Sequence, residues 1–287
     1  MRRHPLVRGV AVVGILAVGS GAAAACSAAT QRSEIGSPVR APVPPSDPAA
    51  RGVPERLALR VLDRHHHDDT AFTEGLVFHS RGRLFESLGL DGRSAIREVD
   101  PLTGSVRIER RLDGSLFGEG IAIGPDGLVQ LTWKNHVALS WRLPDLGVGP
   151  RYRYSGEGWG LTFDGRRFIQ SNGSATLTFR DRSSFAEVSH VEVTRDGRPA
   201  DQLNELEFVD GVVYSNVWHS DEILRIDPAS GRVTGVIDAS GLWTSAERTS
   251  EMTLNGIAHR PGDPADELWL TGKNWPELGL TQDTSYL

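Results

Sequence analysis

The sequence predicts an all-β protein built as a five-bladed β-propeller, and three observations carry the prediction. A segment made of a small or polar residue, an apolar strand, a Gly-centred turn and a second strand recurs five times. The recurrences lie about 40 to 50 residues apart, the period of a four-stranded blade. No stretch carries the 3.6-residue apolar period of a long amphipathic helix, so helical and α/β folds lack support.

At the start of the chain, Arg2 and Arg3 precede an apolar run over 9–25 that is too short for a comfortable membrane span. Alanines at 22–25 then meet Cys26, the single cysteine of the chain. Residues 1–25 are read as a signal peptide. Two readings of Cys26 stand: an incidental residue after plain secretory cleavage, or the lipidated first residue of a mature bacterial lipoprotein. Either way the protein is expected to be exported, tethered to the membrane by the lipid or otherwise secreted. One cysteine closes no internal disulfide. Residues 26–55, rich in Ala, Ser and Pro, read as a disordered tether, and 56–287 as the propeller.

The five units are "TEGLVFHSRGRLFES" (73–87), "GEGIAIGPDGLVQLTW" (118–133), "GWGLTFDGRRFIQSN" (158–172), "NELEFVDGVVYSNVW" (204–218) and "NGIAHRPGDPADELWL" (255–270). Their equivalent central positions are Gly75, Gly120, Gly160, Glu205 and Gly256. Between them lie further hairpins, closed by turn signals such as Asp100-Pro101-Leu102-Thr103-Gly104 and Asp227-Pro228-Ala229-Ser230-Gly231.

Composition excludes some functions. With 287 residues, 39% hydrophobic and 24% charged, the chain can bury a full core. A net charge of −6 and the lack of a Lys/Arg-dense patch argue against nucleic acid as a partner. A monomer is expected.

In a propeller, the innermost strands line the central channel and their first residues meet at one mouth. The residues before the repeated central position are Glu74, Glu119, Trp159, Asn204 and Asn255. Polar and aromatic groups at five equivalent positions are expected to converge on one pocket. Trp133, Trp218 and Lys273, at the ends of second strands, should face the same mouth. The flanking glycines are expected to let backbone and ligand approach closely. Glu86 and Lys134 read as solvent-facing or supporting residues. The run His65 to Asp69 lacks ligand spacing on a fixed element, so no metal is expected there. No G-x-S-x-G elbow and no phosphate loop before a helix occur.

At these residues the chain resembles the plant and bacterial glutaminyl-peptide cyclotransferases, a five-bladed propeller family. The matching stretches include "AFTEGLVF", "LFGEGIA", "QLTWKN", "YSGEGWGLTFDG", "QLNELEFVDGVVYSNVW", "LNGIA" and "LTGKNWP", in order from about residue 58 to 278. The resemblance implies conversion of N-terminal glutamine, in peptides or proteins, to pyroglutamate with release of ammonia and without a cofactor. Glu119 in "FGEG" matches the family's catalytic carboxylate. Trp133, Trp159 and Trp218 match pocket tryptophans, Asn204 and Lys273 match polar site residues, and Phe72 matches an aromatic wall. The family usually carries glutamine where this chain has Glu74. That extra carboxylate is expected to hold the substrate's ammonium, to raise the pKa of Glu119, or to mark an altered specificity.

The chemistry fits these residues directly. The substrate brings its own nucleophile, an α-amine with a pKa near about 8, and closes a five-membered ring on itself. A carboxylate in a half-apolar cage can take the proton from the amine and return it to the leaving nitrogen. Asn204 and Lys273 are the candidate donors to the developing oxyanion. Two other readings remain open from the residues: a metal-dependent lactonase-like propeller, and a non-catalytic propeller that binds a peptide terminus.

Overall fold

The computed structural model describes residues 52–285, and within them the chain is nearly all strand and turn. The signal peptide, Cys26 and the tether as far as residue 51 lie outside the described residues. The first strand, β1 (Glu55–His66), starts one residue before the expected domain boundary. Blade one holds β2 (Thr73–His79), β3 (Arg83–Leu88), β4 (Ala95–Val99) and β5 (Val106–Arg111). Blade two holds β6 (Gly118–Gly124), β7 (Gly127–Thr132), β8 (Val137–Arg142) and β9 (Gly147–Arg153). Blade three holds β10 (Leu161–Phe163), β11 (Arg167–Gln170), β12 (Thr176–Asp181) and β13 (Glu187–Glu192). A small hairpin, β14 (Thr194–Arg195) with β15 (Arg198–Pro199), precedes blade four, which holds β16 (Leu203–Val209), β17 (Val212–Val217), β18 (Glu222–Ile226) and β19 (Val233–Asp238). Blade five holds β20 (Leu254–Ala258), β21 (Glu267–Gly272) and β22 (Glu277–Ser285), with β1 as its outer strand.

Each blade grades outward from apolar to charged. The inner strands β2, β6, β16 and β20 are buried along nearly their whole length. The outer strands β5, with sequence VRIERR, and β13, with EVSHVE, face solvent. Charged side chains on those outer strands discourage edge-to-edge pairing with another molecule. Among the described residues the core divides into apolar clusters that sit between neighbouring blades. Phe85, Ile121 and Trp141 fill the space between blades one and two, for example, and Phe78, Ala258 and Trp269 fill that between blades five and one. The expected hairpin turns also form. Gly104 N–H donates to the Asp100 carbonyl at 2.8 Å, with Gly104 at φ 69°, a left-handed conformation that favours glycine.

The ring closes through β1, a role the sequence reading left unassigned. β1 lies antiparallel to β22, from Leu57↔Ser285 to His66↔Glu277. It also runs parallel to β19 at Glu55↔Gly235 through Ala58↔Asp238, which joins blades four and five into one sheet. The chain then crosses into blade one through a buried charge network. His67 Nε2 lies 2.8 Å from Glu86 Oε1, and its Nδ1 lies 2.6 Å from the Trp275 carbonyl. Both neighbours are acceptors, so both ring nitrogens donate and His67 is an imidazolium. Although burial opposes the charge, Glu86 holds the His67 pKa above its ordinary value. Arg97 Nε donates to Glu86 Oε2 at 2.8 Å, and its Nη1 donates to Asp68 Oδ2 at 2.8 Å. Glu86 is therefore fully buried, which removes the solvent-facing reading and leaves the supporting one. Removing one member of such a network strands the others, at about 3–5 kcal/mol.

At the axis, the repeated glycines serve the neighbouring blade and not a ligand, which corrects the sequence reading. A Cβ at Gly120 would lie 2.5 Å from the Trp159 carbonyl and 2.6 Å from the Leu161 nitrogen. One at Gly75 would lie 2.8 Å from the Ile121 nitrogen. The fourth blade breaks the pattern with Glu205. Its fully buried carboxylate accepts from Leu76 N–H at 3.3 Å and Ile257 N–H at 2.8 Å, tying blade four to blades one and five. Two residues further along β16, Glu207 accepts from His259 N–H at 2.9 Å. Burial pushes the Glu207 pKa up to about 8, and burial with the nearby Glu207 charge pushes Glu205 well above the usual carboxylate range.

A raised carboxylate pKa means that the folded state holds the proton more tightly than the unfolded chain does. The stability Glu207 contributes is complete below its ordinary value of 4.5 and is lost as pH rises through about 8. Glu207→Gln, which cannot ionise, should therefore lose less Tm between those limits than the wild type. Thermal melts across that pH range test this, and parallel curves for the two proteins would refute it.

Candidate active site

Four inner strands carry the same irregularity at the same place. On β2 the register slips between Thr73 and Gly75, on β6 between Gly118 and Ile121, on β16 between Leu203 and Leu206, and on β20 between Leu254 and Ile257. Each slip is a bulge, one extra residue on the inner strand, and a bulge re-aims a side chain out of the normal alternation. The bulged segments contain Glu74, Glu119, Asn204 and Asn255. The equivalent turn of blade three, just ahead of β10, carries Trp159.

These positions meet at one end of the channel in a cavity of about 270 Å³. Phe72, Glu74, Glu119, Trp133, Trp159, Asn204, Trp218 and Lys273 all line it. Asn255 is fully buried and does not; its Nδ2 donates to Glu74 Oε2 at 3.2 Å from behind. The expectation that Asn255 touches substrate is thus replaced by a holding role on Glu74.

The walls are aromatic, in two groups. Phe72 meets Phe117 edge to face at 6.5 Å, Phe117 meets Trp133 at 5.5 Å, and Trp159 meets Trp218 edge to face at 5.5 Å. A carboxylate the sequence reading missed fixes two of these rings. Glu157 Oε2 accepts from Trp133 Nε1 at 2.8 Å and from Trp159 Nε1 at 3.0 Å. Lys134 is its counter-ion, with Nζ 3.6 Å from Glu157 Oε1 and 3.7 Å from the centre of the Trp133 ring. Burial raises the Glu157 pKa, but the two indole bonds and Lys134 together hold it below the usual carboxylate value. A signal for Glu157 did exist. Gly156-Glu157-Gly158 repeats the Gly118-Glu119-Gly120 triplet that drew attention to Glu119. Leu90, Phe117, His219, Glu251 and Thr253 also line the cavity and were not anticipated.

The polar centre holds two carboxylates and one ammonium. Lys273 Nζ donates to Glu74 Oε1 at 2.7 Å and sits 4.6 Å from the centre of the Phe72 ring. An ammonium has three donors, so this pair leaves two for a ligand. Asn204 is fixed by its backbone, whose carbonyl accepts from Ser171 Oγ at 2.6 Å, while its side chain lines the cavity. The Glu119 carbonyl likewise accepts from Ser87 Oγ at 2.5 Å, which anchors the bulge. The Glu119 carboxyl is raised well above its ordinary value, first by burial and then by the charge of Glu74. Lys273 opposes that rise, and Glu157 adds to it. No hydrogen bond contributes to the shift. Glu74 is also raised by burial, against the pull of Lys273. The site therefore offers a protonatable carboxyl, a second carboxylate held in an ion pair, and apolar walls of fixed orientation. Such a set suits acid–base chemistry on a small polar group.

The fold and site define a five-bladed propeller with a buried carboxyl of raised pKa in an aromatic mouth. Residues 29–280 match the family model of glutamine cyclotransferases. A glutaminyl-peptide cyclotransferase of Arabidopsis thaliana is 37% identical over 225 residues, 77% of this chain and 69% of that protein. The crystal structure of the Myxococcus xanthus glutaminyl cyclase superposes with a TM-score of 0.73 at 37% identity, covering 82% of this chain and all of that one. The chain belongs to the glutamine cyclotransferase family.

Glu74→Gln tests the charge coupling at the mouth. Removing the Glu74 charge takes away a repulsion and frees Lys273, and both effects favour ionised Glu119. The Glu119 pKa should fall, and the acid limb of the pH dependence of kcat/KM should move to lower pH with activity retained. An unmoved limb would mean that the two carboxyls do not titrate together.

Proposed function

We infer that this protein converts the N-terminal glutamine of peptides or proteins to pyroglutamate with release of ammonia, with Glu119 moving the protons. Family membership supports the reaction. One structural observation supports the assignment of the residue: Glu119 is a buried carboxyl of raised pKa lining an aromatic cavity of about 270 Å³.

The α-amine nitrogen attacks the γ-amide carbon, and a new C–N bond closes the five-membered ring. Glu119 takes the proton that the amine sheds. The carbonyl oxygen becomes an oxyanion, which the Asn204 amide and a free Lys273 N–H are disposed to stabilise. Glu119 then delivers its proton to the amide nitrogen, the old C–N bond breaks, and ammonia leaves. A raised pKa brings the carboxyl closer to the amine and to the leaving nitrogen, so neither transfer is far uphill. The tryptophan walls hold the side chain folded toward its own amine, lowering the orientational cost of ring closure.

The lactonase-like alternative needs carboxylates gathered around a divalent cation. Here the charge facing Glu74 is the Lys273 ammonium, so the local charge is already balanced by the chain itself. A pure binding role predicts no product. Incubation with a Gln-initiated peptide should release ammonia and yield the cyclised peptide. Glu119→Gln should keep the fold and lose at least about 10²-fold in turnover. Near-normal turnover by the folded variant would remove Glu119 from the mechanism.

We also propose that the leader exports the chain and that lipid on Cys26 tethers it to the membrane. The basic residues, apolar run and alanines ahead of a single cysteine support this. Wild-type protein made in a bacterial host should partition into detergent, and Cys26→Ala should not. Identical aqueous behaviour would favour plain secretion.

A further inference from the structure

The catalytic cavity has a neighbour beyond its tryptophan walls. On the side of blades four and five a second cavity of about 360 Å³ adjoins it, and His219 and Thr253 line both. The outer wall of that groove is the segment 239–253 between β19 and β20. Irregular connections of about fifteen residues inside a compact domain are uncommon, and those that occur are usually functional. This one is pinned. Arg248 Nη1 donates to Asp221 Oδ2 at 3.0 Å, its Nε donates to the Met252 carbonyl at 3.0 Å, and its guanidinium lies 5.0 Å from the centre of the Trp275 ring. Trp275 Nε1 donates to the same Met252 carbonyl at 3.0 Å. The groove is therefore shaped before anything binds.

We propose that this groove receives the two residues next after the substrate's glutamine, and that the path into it, past Glu251, favours a cationic side chain on them. The proposal rests on the cyclase reading of the catalytic cavity. A peptide leaving that cavity carries backbone N–H and C=O groups, which need polar partners when they are buried. The walls formed by Phe72, Phe117 and the tryptophans offer few. The groove side offers Thr253, whose hydroxyl is buried at the junction and has no hydrogen-bond partner within the protein. Charge sets the preference. Asp221 is neutralised by the two-pronged contact with Arg248. Glu251, exposed and lining the catalytic cavity two residues before the shared Thr253, has no ion-pair partner among the described residues. Its carboxylate is the uncompensated charge a passing peptide meets.

The test compares Gln-Lys-Ala-Ala and Gln-Ala-Lys-Ala with their glutamate counterparts, using glutamine amide as a substrate that cannot reach the groove. Turnover of glutamine amide establishes cyclisation independently, and its failure would overturn the proposed function rather than the groove. With cyclisation established, wild type should prefer a lysine peptide in kcat/KM by about threefold to tenfold, the range an exposed charge supports. The preference should shrink at high salt. Glu251→Lys should invert the ratio, and Glu251→Gln should bring it near unity. A wild-type ratio near unity, or a preference unchanged in both variants, would overturn the groove assignment.

Discussion

Five extended chains have to pass one another around a single axis, and at the mouth they do so backbone to backbone. The Trp159 carbonyl accepts from Gly120 N–H at 2.7 Å, a contact between blades that a side chain at Gly120 would prevent. Strands held this closely cannot turn their side chains toward the axis at those positions. The bulge beside Gly75, Gly120 and Gly256 lets the preceding residue escape the alternation. The placement of Glu119 thus follows from a packing constraint. Glu119 faces the cavity because Gly120 lies against blade three, and the Ser87 hydroxyl holds the carbonyl of the bulged residue. Blade four meets the same constraint differently, with a carboxylate that supplies acceptors where the inner strands would otherwise leave N–H groups unpaired.

Burying charge at the mouth carries an electrostatic cost, and the residues around it distribute that cost unevenly. Glu157 receives two indole donors and a lysine and stays ionised. Glu74 receives Lys273 and the Asn255 amide. Glu119, the carboxyl assigned to catalysis, has no hydrogen bond that lowers its pKa. A carboxylate supplied with donors would be a poor base, because each donor stabilises the charge it must surrender. Leaving Glu119 without such donors keeps its proton affinity high. Glu157 has the opposite task of locking two rings in place, and it needs a firm charge to do so.

The repeat was legible because blades are periodic, and the periodicity survives in the spacing of Gly75, Gly120, Gly160 and Gly256. The mouth was legible for the same reason, since equivalent positions in a ring converge. Residues outside the period were harder to place. β1 completes the last blade from the far end of the chain, so no local pattern announces its partner. The burial of Glu86 depends on His67 and Arg97, brought to it by ring closure. Asn255 obeyed the repeat yet sits behind Glu74, since periodicity fixes which strand end a residue occupies but not which neighbour lies in front of it. Glu251 and Thr253 belong to a connection that no other blade repeats.

Periodic and aperiodic residues therefore carry two kinds of information in a propeller. Residues common to the blades build the ring and aim a carboxyl at its mouth, which is enough to act on a single glutamine side chain. Recognition of the peptide beyond that side chain needs asymmetry, because a peptide leaves the mouth in one direction. The asymmetry here is local to blades four and five, where a long pinned connection replaces a short turn and the aromatic wall gives way to polar groups. Cyclisation is intramolecular and uses atoms of one residue, so the periodic part of the structure is sufficient for the chemistry. Selection among substrates must then come from the part that breaks the period.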